Sequence, residues 1–77
     1  MPKIEELFAY VVEDTGPDDE GVPAFTGADG MLYPMIGADR ERADQLRPLA
    51  EGMAKGLGKP IKLIHSTGVE VIEVIEP

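Results

Sequence analysis

The sequence has no cysteine and no tryptophan, one histidine, and only four other aromatic residues, Phe8, Tyr10, Phe25 and Tyr33. Without thiols there can be no disulfide and no thiolate metal site, which fits a reducing cytoplasm better than a secreted scaffold. Basic residues are also scarce: seven stand against fifteen acids, a formal net charge of −8. Phosphate binding needs clustered Lys and Arg to displace counterions, so direct contact with DNA, RNA or anionic lipid is not expected. Long apolar runs are missing as well. Leu7 to Val12 is far shorter than the roughly 20 residues that cross a bilayer, and Met1 to Glu6 is polar where an export signal would turn apolar. The expectation is a cytoplasmic protein that neither spans nor binds a membrane.

What is present suffices for one core. Seventy-seven residues make a single domain, 1–77, and a chain this short buries only about 60% of its unfolded surface. The acidity is uneven: eight acids and one base up to Gly30, four acids and five bases from Met31 to Lys59, three acids and one base from Pro60 onward.

Leu7 to Val12 (LFAYVV) is a continuous β-branched and aromatic run, which predicts a strand from about Ile4 to Glu13, buried on both faces and therefore central. Leu7, Ala9 and Val11 then face one way and Phe8, Tyr10 and Val12 the other. Asp14 to Gly21 (DTGPDDEG) has turn chemistry throughout. Gly21 to Thr26 reads as a short second strand, placed at an edge or bulge by Pro23, which cannot donate to a ladder. Ala28-Asp29-Gly30 supplies a turn, and Met31 to Ile36 a third extended piece, completing a meander.

From Asp39 to Leu57 the apolar period lengthens to three and four, through Ala43, Leu46, Ala50, Met53 and Leu57, widened by Leu49 and Ala54. Asp39 suits an N-cap, while Gly58 followed by Pro60 suits a stop. Arg40, Asp44, Arg47, Glu51 and Lys55 form a solvated face with four-residue ion-pair spacing. Pro48 removes the hydrogen bond to the Asp44 carbonyl. Because the stripe keeps its register on both sides, one Pro-kinked helix is expected instead of two. Gln45, Pro48, Gly52 and Gly56 leave a flank of small or unreactive residues that another backbone could approach.

Ile61 to His65 alternates, Ser66-Thr67-Gly68 reads as a turn, and Val69 to Ile75 (VEVIEVI) is strongly β-prone, so the chain should end in a hairpin. The fold class is α+β: a small antiparallel or mixed β-sheet with one helix packed on one face, in the order β-β-β-α-β-β. One sheet face is then uncovered. Apolar residues there would mark a protein-binding surface, covered in a homodimer face to face or by pairing of edge strands.

No constellation of residues points to catalysis, and no catalytic, cofactor-binding or metal-binding residues are assigned. His65 ends an alternating strand without an evident relay. Ser66 and Thr67 adjoin it, but strand neighbours point to opposite faces, and a nucleophile needs its base within hydrogen-bond reach. Gly52 to Pro60 (GMAKGLGKP) departs from a phosphate loop in spacing, in having Pro60 for the required Ser or Thr, and in following a helix. Glu13, Asp14, Asp18, Asp19 and Glu20 could offer oxygens to Ca²⁺ but lack the alternating ligand pattern of a calcium-binding loop. Gly37 with Arg40 and Arg42 could hold a small anion at the helix start, although Asp39 stands in the way.

Three functional readings follow. The preferred one is a non-catalytic, acidic protein-protein interaction module that self-associates. A second is an acidic inhibitor or nucleic-acid mimic that uses Asp18, Asp19 and Glu20 against a basic partner protein. The third is a minor enzyme or enzyme subunit using His65 with Glu70 or Glu73. No cofactor is implied by any of them.

Overall fold

A computed structural model describes residues 3–13, 15, 16 and 18–77. Strand β1 (Glu6–Glu13) is the centre of a four-stranded antiparallel sheet, as its apolar run predicts, but it is not buried on both faces as expected: Leu7, on the face away from the helix, is exposed. Strand β2 (Glu20–Gly21) pairs with its C-terminal end, matching Val12 to Gly21 and Glu13 to Glu20. Strands β3 (Ala24–Thr26) and β4 (Leu32–Pro34) form a separate two-stranded ladder. Strand β5 (Ile36–Gly37) then returns to the same edge of β1, opposite Phe8 and Ala9. After helix α1 (Arg40–Leu57), strand β6 (Ile61–Thr67) runs along the other edge, from Val12↔Ile61 to Glu6↔Thr67.

The fold class holds: antiparallel sheets with one helix packed against strands. Three details differ from the sequence reading. First, the expected meander is cut into shorter pieces. Pro23 lies between β2 and β3, and Met35 sits at the corner between β4 and β5, where its N–H donates to the Pro23 carbonyl (3.0 Å) and its carbonyl accepts from Tyr10 N–H (3.0 Å). Met35 is fully buried by this corner. Second, the terminal hairpin does not form. Ser66 and Thr67, expected as turn residues, pair with Leu7 and Glu6, so β6 uses up the turn. Residues 68–77 consequently make no strand or helix. Third, Leu49 and Leu57 lie 43% and 55% exposed, outside the buried helix stripe. In the loop after β1, Asp14 and Pro17 lie outside the described residues.

The helix runs unbroken through Pro48, one element as expected. Asp39 Oδ1 accepts from Arg42 N–H (2.8 Å) as N-cap, and Gly58, at φ 66°, donates to the Ala54 carbonyl (2.9 Å) as it closes the C-terminus. Arg40–Asp44 (3.2 Å) and Arg47–Glu51 (3.1 Å) pair on the solvent side. The first turn lies close on β5: a Cβ on Gly37 would come within 2.9 Å of the Ala43 nitrogen, so no larger residue fits there without displacing the helix.

The core sits between helix and sheet. Tyr10, Met35 and Ala50 are its centre, with Phe25, Leu46, Met53, Ile61 and Leu63 packed around them. The Tyr10 hydroxyl donates to the Ala43 carbonyl (2.7 Å), tying β1 to the helix. Among the described residues only six apolar side chains are buried, two of them alanines, while fifteen large ones are more than a third exposed. A core this thin leaves much apolar surface without cover.

Candidate functional site

Opposed residues in an antiparallel ladder share a face, so the pairing of β1 with β6 sorts the side chains. Phe8, Tyr10 and Val12 of β1 stand with His65, Leu63 and Ile61 of β6 on the helix side. Leu7, Ala9 and Val11 stand with Ser66, Ile64 and Lys62 on the other side, joined by Ile36 from β5 opposite Ala9.

This second face has no helix over it. At one end Lys62 reaches from β6 to Glu20 on β2 (2.6 Å) across β1, and Val11, the residue opposite Lys62, is buried. The Glu20 carboxylate, through its hydrogen bond to the Lys62 ammonium, raises the lysine pKa above the ordinary 10.5. Beyond that ion pair, Leu7, Ile36 and Ile64 are 37%, 43% and 47% exposed around Ala9. The outer edge of β6 meets no other strand among the described residues. Beside that edge, a cleft of about 300 Å³ opens between the helix and the sheet, lined by Arg47, Ala50, Glu51 and Ala54 on one side and Tyr10, Ile61 and Leu63 on the other.

The candidate catalytic residue, His65, is placed quite differently from the pairing considered above. Its ring stacks on Phe8 at 4.3 Å and 4° between planes, and its Nε2 lies 2.9 Å from Glu6 Oε2. Glu6 is two residues from Phe8 on the same face of β1, hence diagonal to His65, a neighbour that a separation of 59 residues hides from sequence reading. The carboxylate orients the imidazole, but Ser66 stands on the opposite face with Leu7, and Glu70 and Glu73 belong to the unpaired terminal segment. Arg40 lies 5.8 Å over the Phe8 ring. The arrangement holds a histidine in place: Thr67, opposite Glu6, shares its face, but among the described residues no hydroxyl is hydrogen-bonded to the ring.

The other candidates resolve into structural roles. Asp39 occupies the helix start with its own carboxylate, 3.7 Å from Arg42 Nε, where an anion would have bound. A cleft of about 500 Å³ beside it is lined by both signs of charge, Lys3 and Arg42 against Glu5, Glu6 and Asp39. Gly52 to Pro60 is the end of the helix and its cap. In the acidic loop, Asp19 Oδ2 accepts from the Thr15 hydroxyl (2.6 Å) while Glu20 holds Lys62. Among the described residues no group of three or more His, Asp or Glu side chains is placed to hold a metal ion, and no helix is long and apolar enough to cross a membrane.

No family model, curated protein or solved structure matches the chain.

Proposed function

We propose that this chain is a non-catalytic, acidic protein-protein interaction module that self-associates. The observation that carries this reading is the uncovered sheet face, where Leu7, Ile36 and Ile64 stay exposed next to the unpaired edge of β6. An apolar surface rimmed by polar groups, backed by a thin core, favours cover by another chain. A lack of thiols suits the cytoplasm as its place of action, and the net charge of −8 argues for a protein partner over nucleic acid or membrane.

Sedimentation velocity and native mass spectrometry over a concentration series test the reading, with a two-chain species as the expected result. Ile64→Lys puts a charge where the open face meets the free edge, at a side chain 47% exposed. It should weaken association by about tenfold or more, since burying an unpaired charge is costly, and leave the thermal melt of the monomer within a few degrees. A monomeric wild type at all concentrations, with no protein partner, would falsify the proposal.

A further inference from the structure

The terminal segment and the edge of β6 fit each other, and their fit says how two copies would join. Val71, Ile72, Val74 and Ile75 are 74%, 90%, 70% and 87% exposed, an unusual density of bare β-branched side chains. The segment from Val69 onward carries Glu70, Glu73 and Glu76 and no Lys or Arg. Strand β6 carries Lys62 and His65 and no Asp or Glu. Both segments are seven residues long, Ile61–Thr67 and Val69 to Ile75.

We propose, resting on the self-association reading, that Val69 to Ile75 of each copy adds as an antiparallel strand to the free edge of β6 in the other. With Gly68 as an extra, unpaired residue, the two-fold axis would pass between Thr67 of one chain and Thr67 of its partner copy. Each chain then passes from β6 through a bulge at Gly68, whose one extra residue restores the alternation of the backbone groups, into its own exchanged strand, and the two sheets become one. This register sets Ile61 opposite Val74, Lys62 opposite Glu73, Leu63 opposite Ile72, Ile64 opposite Val71 and His65 opposite Glu70. Apolar residues meet apolar residues, and two of the three glutamates meet the only basic side chains of the edge. Shifting by one residue would put Leu63 against Glu73 and Lys62 against Val74.

The faces agree with this register as well. Ile72 and Val74 share the face of Leu63 and Ile61, which line the cleft of about 300 Å³ beside the edge, so the incoming strand fills it. Val71 extends the open face next to Ile64. Pairing in trans is preferred over folding back, because a tight hairpin needs at least two loop residues. Ser66 and Thr67 are held by Leu7 and Glu6, so the tightest loop left is Gly68-Val69, which would set Ile64 against Glu73 and His65 against Ile72 in place of the matched pairs. Gly68 sits at φ 73°, the left-handed backbone that a glycine supplies at a bulge.

The absence of cysteine makes a register test clean. In the full chain, Ile64→Cys combined with Val71→Cys should oxidise to a covalent dimer, while Ile64→Cys with Ile72→Cys, one residue displaced and on opposite faces, should not. Ile72→Pro removes a ladder donor at a side chain that touches little in the monomer. It should weaken dimerisation by about 100-fold or more, with an unchanged monomer melt. Preferential cross-linking of the displaced pair, or a disulfide closed within one chain, overturns the proposal. A dimer that resists Ile72→Pro but yields to Ile64→Lys overturns it while leaving self-association standing, through the open face. A wild type that stays monomeric removes both.

Discussion

Tyr10 shows how much one side chain carries in a core this small. It is 5% exposed at the centre of the cluster, and its hydroxyl is the hydrogen bond between β1 and the helix. Tyr10→Phe keeps the ring and leaves the Ala43 carbonyl without that donor, so a loss of about 0.5–1.5 kcal/mol is expected by urea denaturation. A second residue-scale prediction concerns the β3–β4 hairpin, where the Tyr33 hydroxyl donates to Asp29 Oδ2 and Asp29 Oδ1 accepts from Met31 N–H. The Tyr33 hydroxyl first, then the Met31 N–H, holds the Asp29 carboxyl below its ordinary 3.8, and the same bond raises Tyr33 above 10.0. A lowered carboxyl pKa contributes stability that is full above 3.8 and is lost as pH falls through the folded value. A raised phenol contributes stability that is full below 10.0 and is lost as pH rises through its folded value. The hairpin is thus best held between those limits, and in Tyr33→Phe an NMR titration of the Asp29 carboxyl should move up toward 3.8. An unmoved titration would show that the hydroxyl does not hold the carboxylate.

At the scale of elements, the helix keeps a proline that its geometry opposes. Pro48 is exposed and sits within an unbroken helix, where a proline costs about 3 kcal/mol through the lost hydrogen bond and the clash with the preceding turn. Its restriction of the unfolded chain returns up to about 1 kcal/mol. Pro48→Ala should therefore stabilise the fold by roughly 2 kcal/mol, read as a higher denaturation midpoint with an unchanged urea slope. The helix was the most legible element in the sequence, because the period of its stripe, its Asp39 cap and its Gly58 stop are all local signals. Strand β1 was legible for the same reason. The end of the chain was not: Val69 to Ile75 has strand composition, but whether it pairs depends on Ser66 and Thr67, and their engagement by Leu7 and Glu6 is a matter of register between segments far apart in the chain. The His65–Glu6 contact was hidden likewise, since it follows from the same register.

For the whole molecule, charge separates the functional readings in a way that no single residue does. Two copies each at −8 repel. With their charges about 30 Å apart, that repulsion is roughly 9 kcal/mol in unscreened water. Salt near 0.01 M leaves about a third of it, and 0.15 M removes nearly all. Exposed cross-strand ion pairs such as Lys62 with Glu73 contribute only about 0.2–1 kcal/mol each and are weakened by the same salt. The roughly 3 kcal/mol of repulsion lost between those ionic strengths exceeds the about 0.4–2 kcal/mol held by two such pairs, so self-association should tighten by about 10- to 100-fold. An acidic inhibitor docked on a basic groove has the opposite sign: its attraction is screened, and its affinity falls as salt rises. Sedimentation equilibrium at the two ionic strengths reads this directly for the self-associated form. A dissociation constant that rises with salt would mean that specific ion pairs, and not apolar burial against a repulsive background, hold the two copies together.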